Sequence, residues 1–390
     1  MEEQSMKKRF SIIALLLCTS LTFAGCSNTK YNEDQELNNT INTTDSEANS
    51  EQRKLNVLRP MAYGNVEGLT LEPGSSISII GKYAGDSYWK EVEAGAKRAI
   101  KDINDMLGYE GKDKVTLTYS APEIRDDVEE QINILDEELS RYPTAIGIAA
   151  IDTTACAIQF DLASDNQIPI VTFDSGSDYK QVTSHISTDN LEAASTAAKK
   201  LAHAINKEGE VLILAHDSIS MTGKERLKGF QDTIAEEYEN ITIANVYELD
   251  NFDELRSQIA AEHVDDPEFN ASELSKREVL TYLIQSNPNL KGIYATNLDT
   301  TQLVAKALSD IPEHQIKVVG FDGGEDQLTL LEDGVLEGLI IQNPYGMGYA
   351  TVVSAARTAL GLGNESVVDS GYTWVTKDNM TTNTIKGMLY

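Results

Sequence analysis

The alternation of two kinds of segment constrains this chain more than any other feature. Short β-branched runs at Ile77 to Gly81, Val115 to Tyr119, Ala145 to Ala149 and Ile170 to Phe173 are separated by longer segments with apolar residues every three or four positions. Val92, Ala96, Ala99, Ile100 and Ile103, between Tyr88 and Met106, show that helical spacing. Runs that are apolar throughout need cover on both faces, which crossover helices provide for a parallel sheet. The pattern restarts after Ser187-Thr188-Asp189-Asn190. It continues with a helix from Leu191 to Ile205, strand Val211 to Ala215, helix Lys224 to Glu236 and strand Ile241 to Val246. Strands Gly292 to Ala295, Lys317 to Phe321 and Gly338 to Gln342 follow, then a helix from Tyr345 to Leu360 and a last strand from Tyr372 to Val375. The predicted fold is therefore α/β, with two doubly wound parallel-sheet lobes of Rossmann-like form, since roughly 315 residues exceed what one core usually serves. Ligands of open α/β sheets bind beyond the carboxyl ends of the strands, so two such lobes face one another across a cleft.

The amino-terminal stretch has a different character. Lys7-Lys8-Arg9 precedes an apolar run from Phe10 to Phe23 that ends in Phe23-Ala24-Gly25-Cys26, and this resembles a bacterial lipoprotein export signal. The apolar run is too short to span a membrane as a helix. Residues 1–25 are expected to be removed and Cys26 to carry lipid, which places the protein outside the cytoplasm, anchored to the cell membrane. An ordinary signal or a buried helix is the alternative. Cys18 leaves with the signal, and Cys156, within Ala155-Cys156-Ala157-Ile158, reads as a core residue without a disulfide partner. Residues 26–75 are rich in Asn, Thr, Glu, Asp and Ser and read as a disordered tether, with docking of Val57 to Gly68 left open.

With 62 acidic and 32 basic residues the formal net charge is −30, which argues against nucleic acid and against the body lying on anionic lipid. No catalytic motif stands out. Gly223-Lys224-Glu225 lacks the spacing of a phosphate loop, the five histidines lack metal-ligand spacing, and no Gly-x-Ser-x-Gly occurs. No metal or cofactor is expected. The stretch Glu262 to Glu268 reads as a solvated acidic insertion.

Several strand ends carry polar or aromatic groups, within Lys82-Tyr83-Ala84-Gly85-Asp86-Ser87-Tyr88-Trp89, Phe173-Asp174, Ser184-His185-Ile186-Ser187-Thr188-Asp189-Asn190 and Arg226-Leu227-Lys228-Gly229-Phe230. Ala295-Thr296-Asn297, Val318-Val319-Gly320-Phe321-Asp322-Gly323 and Ile341-Gln342-Asn343-Pro344 complete the set. In these segments the chain resembles a type 1 periplasmic binding protein of the ribose-binding and galactose/glucose-binding group. The resemblance implies lobes at 76–187 with 343–371 and at 188–342 with 372–390, joined by a three-stranded hinge near Ser187 to Asp189, Gln342-Asn343 and Ser370 to Tyr372.

The resemblance also implies a ring of partners for a sugar. Asp86 and Asp174 accept from hydroxyls, Tyr88 lies on the apolar face of the ring with Trp89 beside or below it, and Arg226 offers a fork of donors. Asn297, Asp322 and Gln342 complete the polar ring, while Phe252 stands where the second aromatic closes the opposite face. A sugar has a rim that donates and accepts around C–H faces that are apolar, which suits this mixture. Each residue has a plainer alternative: Tyr88, Trp89 or Phe252 as core, Asp322 as a helix cap, Asp174 and Asn297 in turns, Gln342 in the hinge, Arg226 paired with a surface carboxylate. Ser175 stands where the family often has a long basic or polar side chain, which bears on selectivity there, and Ser220 and Thr222 are small enough to leave room for a larger or differently substituted sugar. The implied partner is the permease of an ATP-driven importer or, alternatively, a membrane sensor of the histidine kinase or chemoreceptor kind. An exported sugar-processing enzyme, using a pair such as Asp174 and Asp322, is the reading from another class.

Overall fold

The computed structural model describes residues 47–263 and 270–390. The expected export signal, Cys26, the first part of the tether and positions 264–268 of the acidic stretch lie outside the described residues.

Lobe one opens with helix α1 (Glu47–Asn56), then β1 (Ser76–Ile80), α2 (Ser87–Leu107), β2 (Thr116–Ser120), α3 (Val128–Ser140), β3 (Ala145–Ile148), α4 (Ala157–Asp165), β4 (Ile170–Phe173) and β5 (His185–Ser187). Lobe two follows with α5 (Asn190–Ala204), β6 (Gly209–Ala215), α6 (Met221–Glu237), β7 (Ile241–Glu248), α7 (Phe252–Glu262), α8 (Lys276–Gln285), β8 (Leu290–Ala295), α9 (Leu298–Leu308), β9 (Lys317–Phe321), α10 (Glu325–Glu332) and β10 (Gly338–Gln342). The chain then returns to lobe one through α11 (Pro344–Ala359) and β11 (Val367–Asp369), and ends in lobe two with β12 (Tyr372–Val375) and α12 (Asn383–Lys386).

The two sheets repeat one plan. Their strand orders are β11-β5-β4-β3-β1-β2 and β12-β10-β9-β8-β6-β7, so each of the first five strands of lobe one has a counterpart in lobe two. All pairs are parallel except β12 against β10. Strands β1, β3 and β4 are almost wholly buried, as mostly apolar runs require. Three connections link the sheets: β5 into α5, β10 into α11, and β11 into β12.

Lobe one is closed by a tight crossing of α2 and α11. Val92, Ala96, Ala99 and Ile103 have no measurable exposure, and every residue of α11 from Pro344 to Ala356 is buried. Glycine is needed at the crossing because a Cβ at Gly95 would lie 1.9 Å from the Tyr345 carbonyl oxygen, and one at Gly348 2.0 Å from that of Val92. Cys156 is buried in the β1–β3–α4 core, and burial pushes its thiol up to about 11.

The described part of the expected tether, residues 47–75, is folded rather than disordered. Leu55, Leu58, Tyr63, Leu69 and Leu71 are buried in the lobe-one core, and the backbone of Arg59 exchanges two 2.9 Å hydrogen bonds with Asp369 at the open edge of β11. Composition misses this strap because its anchors are widely spaced and keep neither a helical nor a strand period. The strap also reaches a crossing point, where the Asn343 amide donates to the carbonyls of Lys54 (2.7 Å) and Ser370 (2.9 Å).

Candidate functional site

The carboxyl ends of the two sheets face one another, and the side chains there come from equivalent places in the two lobes. Asp86 follows β1 and caps α2, accepting from the Trp89 amide at 3.1 Å. Asp174 follows β4, Asn297 caps α9 after β8, and Asp322 follows β9. Arg226 lies one turn into α6 after β6, and Gln342 ends β10. All six line one interlobe crevice with Tyr88 and Trp89.

Contacts within the crevice hold these groups in fixed orientations. Tyr88 donates its hydroxyl to Asp174 at 2.6 Å, and burial followed by the Asp174 charge lifts the phenol well above its ordinary pKa. Trp89 stacks edge-on against both Tyr88 (5.1 Å between centroids) and Phe173 (6.2 Å). Arg226 is buried; its Nε donates to Asn190 at 2.8 Å, its Nη1 to the Thr296 carbonyl at 2.8 Å, and its plane covers the Phe321 ring at 3.8 Å. The fork of five donors thus spends two on the protein. Asp322 accepts from Gln342 (2.7 Å) and from the Leu298 amide (3.0 Å), and Gln342 in turn accepts from Thr188 in the hinge (2.9 Å). Burial pushes the Asp322 carboxyl up, opposed chiefly by the Arg226 charge.

Asp174 and Asp322 share a further property: both hold the left-handed conformation, with φ of 54° and 72°. Short polar side chains tolerate this region, and it recurs at ligand clamps, where the surrounding structure must hold it. Here each aspartate's own amide is anchored, since Asp174 N–H donates to the Ile186 carbonyl (2.9 Å) and Asp322 N–H to that of Ile340 (2.7 Å).

The lobes meet across the mouth as well. Arg125 pairs with Asp86 of its own lobe (2.7 Å) and with Asp299 of the other (3.0 Å), while Lys224 of α6 reaches Thr153 of lobe one at 3.4 Å. The inner crevice encloses about 60 Å³, against about 600 Å³ for an outer groove that shares Arg125, Asp126 and His216 with it. The inner volume is well below the roughly 150 Å³ of a cavity that takes up benzene, so the lobes must part to admit a sugar-sized guest.

Eight of the nine expected ligand residues therefore converge; Phe252 does not. It opens α7, is fully buried in the lobe-two core with Leu255 and Ile259, and lies away from the crevice. Its spacing with Leu255 and Ile259 turns it toward the sheet, so the helical period decides its place. Asn297 serves in part the plainer role, since its carbonyl oxygen caps α9 by accepting from the Thr300 amide at 2.9 Å.

Lys82, Arg125, Asp126, His216 and Leu298 also line the crevice without having been singled out. Lys82 and His216 follow directly on the first strand of each lobe, so the strand-end rule, applied to the repeat of lobe one in lobe two, would have found them. His216 bridges Thr296 (2.7 Å) and Thr222 (3.3 Å), and burial lowers its pKa, opposed by the neighbouring Asp217 charge.

A periplasmic binding protein domain matches residues 77–363. The chain is a type 1 periplasmic binding protein. Among similar solved structures, this binding protein shares 30% identity and a TM-score of 0.67 with a carbohydrate transporter solute binding protein from Agrobacterium radiobacter in complex with D-arabinose, covering 81% of this chain and 99% of that one. A second, from Agrobacterium vitis with bound D-fucose, gives 25% identity and a TM-score of 0.67 over 81% and 100% of the two chains. The ribose import binding protein of Escherichia coli is 24% identical over 210 residues, covering 54% of this chain and 64% of that protein, which is less than two thirds of its length.

Proposed function

We propose that this binding protein captures a mono- or small oligosaccharide outside the cytoplasm and delivers it to the permease of an ATP-driven importer. The observation that carries the reading is the convergence of Asp86, Asp174, Asp322, Asn297, Gln342 and Arg226 with Tyr88 and Trp89 on one crevice between hinged lobes. Three carboxylates and a guanidinium offer charged partners for hydroxyls that both accept and donate, and the two rings offer an apolar face. Relatives with bound D-arabinose and D-fucose support a pentose or a hexose as the guest. Binding without turnover is the proposed activity.

Closure supplies the signal to the partner. A sugar that contacts both lobes favours the closed state by its differential affinity, and only that state presents both lobe surfaces together. Lipid on Cys26 would keep the protein near the permease and raise the effective concentration of the pair. No described helix is long and apolar enough to cross a membrane.

Thermal-shift screening against pentoses, hexoses and polyols tests the reading, because a ligand raises stability by mass action. A rise for one or a few sugars, followed by saturable calorimetric binding without product formation, is the expected result. No shift with any of them, or hydrolysis of a glycoside, would sink it. Globomycin-sensitive processing and labelling of Cys26 with a fatty-acid probe test the anchor separately.

A further inference from the structure

We propose that Tyr390 is a positioning residue of the crevice, pinning its two walls, Tyr88 of lobe one and Asp322 of lobe two, to each other. Tyr390 takes no place in the resemblance that picks out the other residues. Its ring nevertheless meets Tyr88 edge-on, with centroids 5.8 Å apart at 72°, and its hydroxyl donates to Asp322 Oδ1 at 3.3 Å. Tyr390 also packs against the apolar cores of both lobes. One side chain thus touches a wall residue on each side of the crevice, by an aromatic contact on one and a long hydrogen bond to a carboxylate on the other.

The course of the chain shows that this placement is built. The segment that carries Tyr390 is held from α1 of the strap, where Ser50 Oγ donates to the Gly387 carbonyl at 2.9 Å and Arg53 to that of Asn383 at 3.3 Å. Ile385 and Met388 are buried behind it. The strap, which belongs to lobe one, therefore steers a segment that follows the last strand of lobe two.

Two consequences follow for the site. Asp322 Oδ1 receives both Gln342 and Tyr390, so its carboxylate is fixed in one orientation, with the remaining acceptor capacity directed at a guest. The groups that face this carboxylate are Arg226, Asp174, Gln342, Tyr390 and the Leu298 amide. The ring of Tyr88, tied to Asp174 at its hydroxyl and to Tyr390 at its edge, is likewise fixed. Pinning both walls also favours closure before any sugar arrives, since the contacts of Tyr390 exist only while the lobes are together.

The affinity arm of the test rests on the sugar reading above, and the shape arm does not. Small-angle scattering of the ligand-free full chain should show a larger radius of gyration for Tyr390→Ala than for wild type, with Tyr390→Phe between them because it keeps the ring and loses the hydroxyl. With D-arabinose or D-fucose, whichever wild type binds, Tyr390→Ala should weaken affinity about tenfold. Tyr390→Phe should narrow the preference between epimers of the bound sugar while leaving the melting temperature of the sugar-free protein within a degree or two. An unchanged scattering curve for Tyr390→Ala overturns the bridge whether or not any sugar binds. An expanded variant with wild-type sugar affinity and epimer preference overturns the positioning role. If wild type binds no sugar yet the variant expands, the bridge stands and the sugar reading falls.

Discussion

Replacing Arg226 with alanine is the most demanding test of the site, because that side chain both braces the protein and lines the crevice. Two of its donors go to Asn190 Oδ1 and the Thr296 carbonyl, each at 2.8 Å, and its plane covers Phe321. Removing the guanidinium leaves two buried acceptors without their donor at about 1–3 kcal/mol each, with about 1 kcal/mol more for the lost cation–ring contact. Urea denaturation should therefore show a loss of about 3–7 kcal/mol in the sugar-free protein. A sugar that takes one hydrogen bond from the remaining donors loses about 1.5–3 kcal/mol, which is roughly a 10- to 100-fold weaker Kd by titration calorimetry. Arg226→Lys separates charge from geometry. It keeps the charge that opposes the upward push on Asp322 but lacks the planar fork, so it should recover less than half of the lost binding energy. A folded Arg226→Ala protein whose Kd stays within threefold of wild type would refute the assignment.

Three other outcomes are expected. Phe252→Ala should cost about 3–5 kcal/mol in denaturant unfolding, as for other buried aromatics, and leave the Kd of the folded protein unchanged; a tenfold weaker Kd would return Phe252 to the site. Gly348→Ala places a methyl group 2.0 Å from the Val92 carbonyl and should destabilise lobe one by about 1–3 kcal/mol or more, whereas an unchanged unfolding midpoint would contradict the described α2–α11 crossing. His185 is held neutral by burial, with its pKa lowered to about 4 against the weaker opposing pull of Asp174. The unfolded chain binds the proton first, so stability is held above pH 6.5 and lost as pH falls toward 4, by up to about 3 kcal/mol at about 1.4 kcal/mol per unit. Midpoints measured from pH 7.5 to 4.5 should fall less steeply in His185→Gln; identical slopes would remove the histidine from the account.

The parts of the fold that were legible in the sequence are those in which local period and burial agree. Strands β1, β3 and β4 are mostly apolar because helices cover both faces, and the spacing of Val92, Ala96, Ala99 and Ile103 marks the face of α2 that packs into the lobe-one core. The crevice was legible where a functional group directly ends a strand, as with Asp174, Asp322 and Gln342. It was not legible where long-range geometry decides. Arg125 reaches the crevice from the loop after β2 because Asp86 and Asp299 draw its guanidinium there, and no local pattern records that pairing. Phe252 failed for the opposite reason: a resemblance at one position was outweighed by the helical period that begins there. The strap failed because Leu58, Tyr63, Leu69 and Leu71 lie in polar sequence without a repeat, although each is buried.

The repeat of one sheet plan in two lobes explains why the strongest acceptors stand opposite one another. Phe173-Asp174 and Phe321-Asp322 end β4 and β9, which hold the same position in their sheets, and both aspartates take the left-handed turn that lifts the carboxylate off the strand end. Bringing the lobes together brings these like charges into one low-dielectric space. Burial and the Asp174 charge both push the Asp322 carboxyl up, and Arg226 offsets only part of that push. The closed crevice is therefore electrostatically unfinished with protein donors alone. A guest that supplies hydroxyl donors to both carboxylates supplies what closure lacks, whereas a guest that only accepts hydrogen bonds does not. On this argument, preference for polyols over isosteric ethers comes from the facing aspartates, while Arg226 answers the oxygen lone pairs of the same guest.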